Sequence, residues 1–168
     1  MDRRPLASVY GTASVVLWIG LVAGTLDISE NLIFNAFRGI TPAMVFRYIA
    51  SGLIGMHNSI AGGMASVALG VALHYFIALC WTAVFYAASR KFAVLVRRPV
   101  ICGLLYGALV YLFMNLIALP LSHVPHARAA VTVASRINGV LALLFCIGLA
   151  ISLLVSKYAA ARQSPYCD

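Results

Sequence analysis

Asp27 and Glu30 are two of only four acidic residues in the chain, and they stand three positions apart near the end of an apolar run. Asn31, Asn35 and Arg38 follow directly. Asp27, Asn31, Asn35 and Arg38 recur at i, i+4, i+8 and i+11, so a continuing helix carries them as one stripe with Glu30 beside it. An ionised group at membrane depth costs roughly 2.5–3.5 kcal/mol on insertion scales, so such groups are paired, turned inward or placed near an interface. Two roles suit this stripe. One is a protonatable site, or a counter-charge for a cationic solute. The other is a structural ion pair with Arg38, Arg47 or Arg136, which is the expectation here because those cations lie at similar depth.

His74, Asn115, Arg136 and Asn138 are the other polar side chains embedded in apolar sequence, and they complete the candidate cluster Asp27, Glu30, Asn31, Arg38, His74, Asn115, Arg136 and Asn138. For His74 the ordinary role is packing or an interhelical hydrogen bond, because haem ligation needs a facing axial ligand at matched depth and no histidine supplies one. Asn115 and Asn138 are read as interhelical hydrogen-bonding groups. His57, His123 and His126 fall in connections. No metal site and no cofactor is expected. Ser51, Ser59, Ser66 and Ser122 lie in no G-x-S-x-G setting, and H-E-x-x-H and phosphate-cradling loops are absent from the sequence, so no enzyme activity is expected.

Composition fixes the elements that must position these groups. Of 168 residues, 63% are hydrophobic and 10% charged, and the mean hydropathy is +0.98. Soluble domains carry about 45–50% apolar residues, and a water-soluble core of this size could not hide the excess. Apolar runs at residues 8–36, 60–89, 100–119 and 131–155 are each long enough to cross a hydrocarbon core of about 30 Å as helices. The sequence therefore predicts a single all-α membrane domain over residues 1–168, a bundle of four transmembrane helices.

Between the first two spans, Thr41 can cap a helix and Pro42 suits its first position. The segment over residues 42–55 is too short to span and reads as an interfacial helix. His57-Asn58-Ser59 with Gly62-Gly63 reads as the turn into the second span. Gly20 with Gly24, and Gly103 with Gly107, form two G-x-x-x-G pairs that let another helix approach closely. Cys80, Cys102 and Cys146 lie in apolar runs with no C-x-x-C pair and read as small packing residues.

The net charge of +8 comes from twelve Lys and Arg that flank apolar runs, the pattern of topology signals rather than of a nucleic-acid-binding face. Arg3, Arg4, Arg90, Lys91, Arg97, Arg98, Lys157 and Arg162 fall on one side, and Arg38, Arg47, Arg128 and Arg136 on the other. The positive-inside rule then places both termini in the cytoplasm.

The segments Gly24-Thr25-Leu26-Asp27, Phe37-Arg38-Gly39 with Pro42, Ile49-Ala50-Ser51-Gly52-Leu53 and Leu73-His74-Tyr75-Phe76-Ile77-Ala78, together with Tyr106-Gly107, Met114-Asn115 and Leu119-Pro120-Leu121-Ser122, carry a resemblance. Over residues 20–139 the chain resembles a group of small bacterial four-span inner-membrane proteins, and through the proline-bearing segment after the third span it is more distantly similar to the YagU-type membrane proteins linked with acid tolerance. The resemblance implies a multi-pass protein of a bacterial inner membrane and carries no activity with it. The sequence expectation is a non-enzymatic accessory or interaction subunit, a homo-oligomer or part of a larger membrane assembly. The alternative is a small transporter or conduit with a proton- or cation-sensitive site at Asp27 and Glu30.

Overall fold

The computed structural model describes residues 4–124 and 132–163, with side chains described over 11–124 and 132–160. Four helices are long and apolar enough to cross a membrane: Gly11–Ala36, Gly63–Lys91, Pro99–Leu121 and Val133–Ala160. The first span is helix α1 (Arg4–Ala36). It runs on through Asp27, Glu30 and Asn35 because no proline interrupts it, and the Asn35 amide donates to the Asn31 carbonyl at 2.9 Å, holding the last turn. The chain then turns at Gly39, whose φ of 73° belongs to the left-handed region that glycine enters without a steric penalty.

Helix α2 (Pro42–Ile54) starts as the sequence indicates, with the Thr41 hydroxyl accepting from the Met44 amide and Pro42 in the first turn. It ends at Gly55, again left-handed with φ 77°. Where the sequence suggests a simple turn, a short helix α3 (Met56–Ala61) forms. The second span is α4 (Gly63–Lys91), followed by a four-residue helix α5 (Val94–Arg97). The third span comprises α6 (Pro99–Phe113), a π-helical turn (Met114–Ala118) and α7 (Leu119–Leu121). The fourth comprises α8 (Val133–Ala142), a π-helical stretch (Leu143–Leu149) and α9 (Ala150–Gln163), so it runs beyond the end at Val155 that its sequence suggests. The predicted connection Pro125-His126 and Arg128 lies outside the described residues.

The spans pair through glycine. Gly20 faces Leu79 and Thr82, and a Cβ at Gly24 would lie 3.1 Å from the Ala78 methyl, so α1 and α4 pack antiparallel with almost no side chain between them. Gly103 and Gly107 meet the fourth span in the same way. A Cβ at Gly107 would sit 2.5 Å from the Leu143 carbonyl oxygen, and one at Gly148 would overlap the Gly103 carbonyl. The π-helical stretch that contains Gly148 widens the helix and brings its backbone to this crossing. Helix α2 joins the same scheme, since a Cβ at Gly70 of α4 would overlap the Phe46 carbonyl. Both glycine pairs thus serve contacts within the chain.

Ile19, Ala23, Phe85, Tyr86, Ile147, Ile151 and Val155 form the main buried cluster, which lies toward the end of the bundle carrying Arg90, Lys91, Arg97 and Arg98, called here the basic end. Large apolar side chains such as Trp18, Phe76, Leu105 and Leu116 stay exposed, as a surface solvated by lipid requires. Gly148→Leu is expected to destabilise the bundle by about 1–3 kcal/mol through overpacking, whereas Gly11→Ala, with nothing within 4 Å of the added methyl, is expected to change stability by less than about 0.5 kcal/mol. Thermal unfolding of the two variants in one detergent makes the comparison.

Candidate functional site

The antiparallel register of α1 on α4 decides which polar groups meet. The His74 ring reaches the α1 backbone, where Nε2–H donates to the Gly24 carbonyl at 2.8 Å. With Nε2 committed to that carbonyl, Nδ1 is the ring's other nitrogen. One residue on, the Thr25 hydroxyl and the Tyr75 hydroxyl are hydrogen-bonded at 3.0 Å, and the Tyr75 ring meets His74 edge-on with centroids 5.3 Å apart. Three residues beyond Gly24, and therefore close to one helical turn away, comes Asp27. Its carboxyl group interacts electrostatically with His74 and with Glu30.

Asp27 and His74 line two cavities. The larger, about 480 Å³, extends toward the end opposite the basic one, where Asn31, Tyr48, Gly52, Ser122 and Val124 contribute to its walls. The smaller, about 170 Å³, reaches toward the buried cluster and is walled by Trp81, Val110, Leu143 and Ile147. Asp27, Ile49, His74, Ile77 and Met114 belong to both linings. The carboxylate and the imidazole therefore stand where the two chambers adjoin, with mostly aliphatic walls around them.

Each wall has a local cause. Helix α2 supplies Val45, Tyr48, Ile49 and Gly52, while Ala50 and Ser51 are buried on its other side. The end of the third span folds back over α2, with the His123 amide donating to the Gly52 carbonyl at 3.0 Å, and Val124 is buried there. Met114 opens the π-helical turn of the third span. π-helical turns recur at functional sites because they shift the side-chain register within an otherwise regular helix. Trp81 is held by its ring contacts with Tyr106 and Phe113, and the Tyr106 hydroxyl donates to the Trp81 carbonyl at 2.6 Å.

The expected ion pairs do not form among the described residues. Arg38 donates to the Ser135 hydroxyl and sits over the Phe34 ring, 5.6 Å from its centroid, joining the first and fourth spans. Arg47 donates to the Gly63 carbonyl at 3.4 Å. Arg136 is exposed. Glu30 keeps Oε2 buried and without a hydrogen-bond partner. Arg38 lies beyond the end of α1 at Ala36, and its guanidinium is engaged by Ser135 of the fourth span instead. Asn115 also departs from its expected role, since it is exposed and its amide donates to the Tyr111 carbonyl of its own helix at 2.9 Å. The π-helical turn accounts for this, because it disturbs the backbone hydrogen bonds around Tyr111.

Of the eight candidate residues, Asp27, Asn31 and His74 line the larger cavity, with Glu30 electrostatically coupled to Asp27. Arg38, Asn115, Arg136 and Asn138 are not among its lining residues. Sequence reasoning missed Tyr48, Ile49, Met114 and Val124. The one available signal was Gly70, whose lack of a side chain admits α2 against α4. Among the described residues, no three His, Cys, Asp or Glu side chains group as a metal ion requires. No family model, curated protein or solved structure matches the chain.

Removing one member of a buried ion pair costs about 3–5 kcal/mol. Without such a pair, Glu30→Gln and Arg38→Gln are each expected to change stability by less than about 1 kcal/mol. Melting curves of the purified variants at neutral pH check this.

Proposed function

We propose that the chain is a small transporter or conduit in which Asp27, assisted by His74, accepts a proton or a cationic solute where two internal cavities adjoin. The observation that carries this reading is that Asp27 and His74 line both chambers, while Arg38 and Arg47 are engaged by Ser135 and the Gly63 carbonyl rather than by the carboxylate. An intramembrane carboxylate that serves structure is neutralised by a partner, and one that faces a cavity marks an ion or substrate pathway. A volume of about 480 Å³ falls within the ordinary range for small-ligand sites. Its largely apolar lining with one acidic group suits protons, or a cation carrying an apolar body.

The chemistry is binding and release. His74 holds Nε2 on the Gly24 carbonyl, so its Nδ1 is the nitrogen left for proton exchange. Asp27 supplies the negative charge that stabilises a cation, and Asn31 adds a neutral polar wall toward the opposite end. Glu30, with a buried and unpartnered oxygen beside Asp27, offers a second carboxyl for a relay. The interaction-subunit reading loses one of its motives, because Gly20, Gly24, Gly103 and Gly107 are occupied by neighbouring helices of the same chain. By the positive-inside rule the basic end faces the cytoplasm of a bacterial inner membrane, which opens the larger cavity toward the outer side.

Reconstituted protein is expected to conduct protons or take up a lipophilic cation across liposomes under an imposed potential. Asp27→Asn should lower the rate by at least about tenfold, the scale of losing one charge-assisted contact, while melting like the parent chain. Arg136→Gln should leave it unchanged. Flux equal to that of empty liposomes, or an Asp27→Asn protein that conducts normally, would refute the reading.

A further inference from the structure

A different cavity lies at the basic end. It is an open concavity of about 450 Å³ between the second and fourth spans, lined by Tyr86, Ser89, Arg90, Arg97 and Tyr158 over an aliphatic floor that includes Val155. Arg90 and Lys91 close α4, while Arg97 ends α5. The two pocket arginines therefore come from opposite ends of the connection between the second and third spans. A connection of this kind would normally leave its charges on loosely placed side chains. Here it is fastened to the fourth span, because the Ser156 hydroxyl donates to the Val96 carbonyl at 2.8 Å and the Ser152 hydroxyl to the Pro99 carbonyl at 2.8 Å. The Cys102 thiol adds a contact to the Val94 carbonyl at 3.6 Å. Two exposed arginines thus line one concavity, Arg97 from a segment whose backbone is tied to the fourth span, and paired guanidiniums suit bidentate phosphate oxygens.

A second cavity of about 500 Å³ shares one lining residue, Tyr158, with the first. It begins at Ser14 and Lys157 and continues to Val15, Trp18, Ile19 and Leu154. In the register of α1 on α4, Gly20 lies opposite Thr82, so Ser14 stands near the level of Ser89 while Trp18 and Ile19 lie roughly one turn further into the bundle. Polar and cationic at its rim and apolar along its length, this groove has the character of an acyl-chain track. The acidic residues of the chain are Asp2, Asp27, Glu30 and Asp168, so none stands among the described residues at this end.

We propose that the Arg90–Arg97 pocket and the Trp18–Leu154 groove together bind one anionic phospholipid, with the phosphodiester between the arginines and an acyl chain beside Trp18. The apolar groove favours a lipid over free phosphate, and the paired guanidiniums favour an anionic headgroup over a zwitterionic one. The site is separate from the Asp27–His74 cavities, and its occupancy does not depend on transport.

Native mass spectrometry and thermal unfolding of the whole protein in detergent, with added phosphatidylglycerol, phosphatidylcholine or inorganic phosphate, test it. Phosphatidylglycerol is expected to remain bound and raise the melting temperature, the other two to do neither. R90Q/R97Q should weaken phosphatidylglycerol retention roughly tenfold or more. K91Q/R98Q removes the same charge from the same connection outside the cavity lining and should retain the lipid. Equal losses in the two double variants, an equal effect of phosphatidylcholine, or an equal effect of inorganic phosphate would overturn the proposal. Should R90Q/R97Q fail to fold, Trp18→Ala, which alters the groove and no charge, is expected to weaken retention, and unchanged retention there counts against it.

Discussion

The contact between the Gly24 carbonyl and the His74 imidazole marks the alignment on which much of its surroundings depends. It forms in the axial register of α1 against α4 that the close contacts of Gly20 with Leu79 and Thr82, and of Gly24 with Ala78 and Tyr75, define. In that register Asp27 falls beside His74 rather than beside a guanidinium, and Ser14 falls near the basic end. A change in register of one turn, about 5.4 Å, would carry Asp27 away from the imidazole and separate the two cavities from their shared polar pair. The hydrogen bond is a modest one in energy, about 1 kcal/mol net, so the register rests on the close packing at Gly20 and Gly24 and the bond reports it.

The third and fourth spans solve a related problem differently. Gly103, Gly107 and Gly148 let two backbones touch, and the π-helical stretch at Leu143–Leu149 provides the local widening that accompanies this contact. The π-helical turn at Met114–Ala118 brings Met114 to the cavities while leaving Asn115 exposed. The buried cluster around Phe85 and Ile151 lies toward the basic end. The larger cavity occupies the half where α2, rather than a fifth span, completes the wall.

The four crossings and the short helix after the first of them were legible because length and apolarity suffice to define them, and because Thr41-Pro42 is a local start signal. The stripe from Asp27 to Arg38 was legible as periodicity, but not as a partition. Helical spacing shows that side chains share a face, whereas the depth at which each meets a neighbour depends on register between spans. This is why Asp27 and Arg38, aligned in sequence, serve different contacts in space. Asn115 was misread for a further reason: a π-helical turn has no clear composition signal, so its effect on backbone hydrogen bonding was invisible. The role of α2 as a cavity wall was equally hidden, since an amphipathic helix of thirteen residues looks the same whether its apolar face meets lipid or protein.

Helix α2 is joined to the rest of the chain at Gly39 and Gly55, both in the left-handed conformation and both with open space where a side chain would project. Its cavity-facing residues, Tyr48, Ile49 and Leu53, take no part in the glycine contacts that set the spacing of the crossings. The dimensions of the chamber and the integrity of the bundle are therefore written in different residues. Over evolutionary time the chamber could be reshaped for a larger or smaller occupant by exchange on this one helix, with the scaffold left as it is.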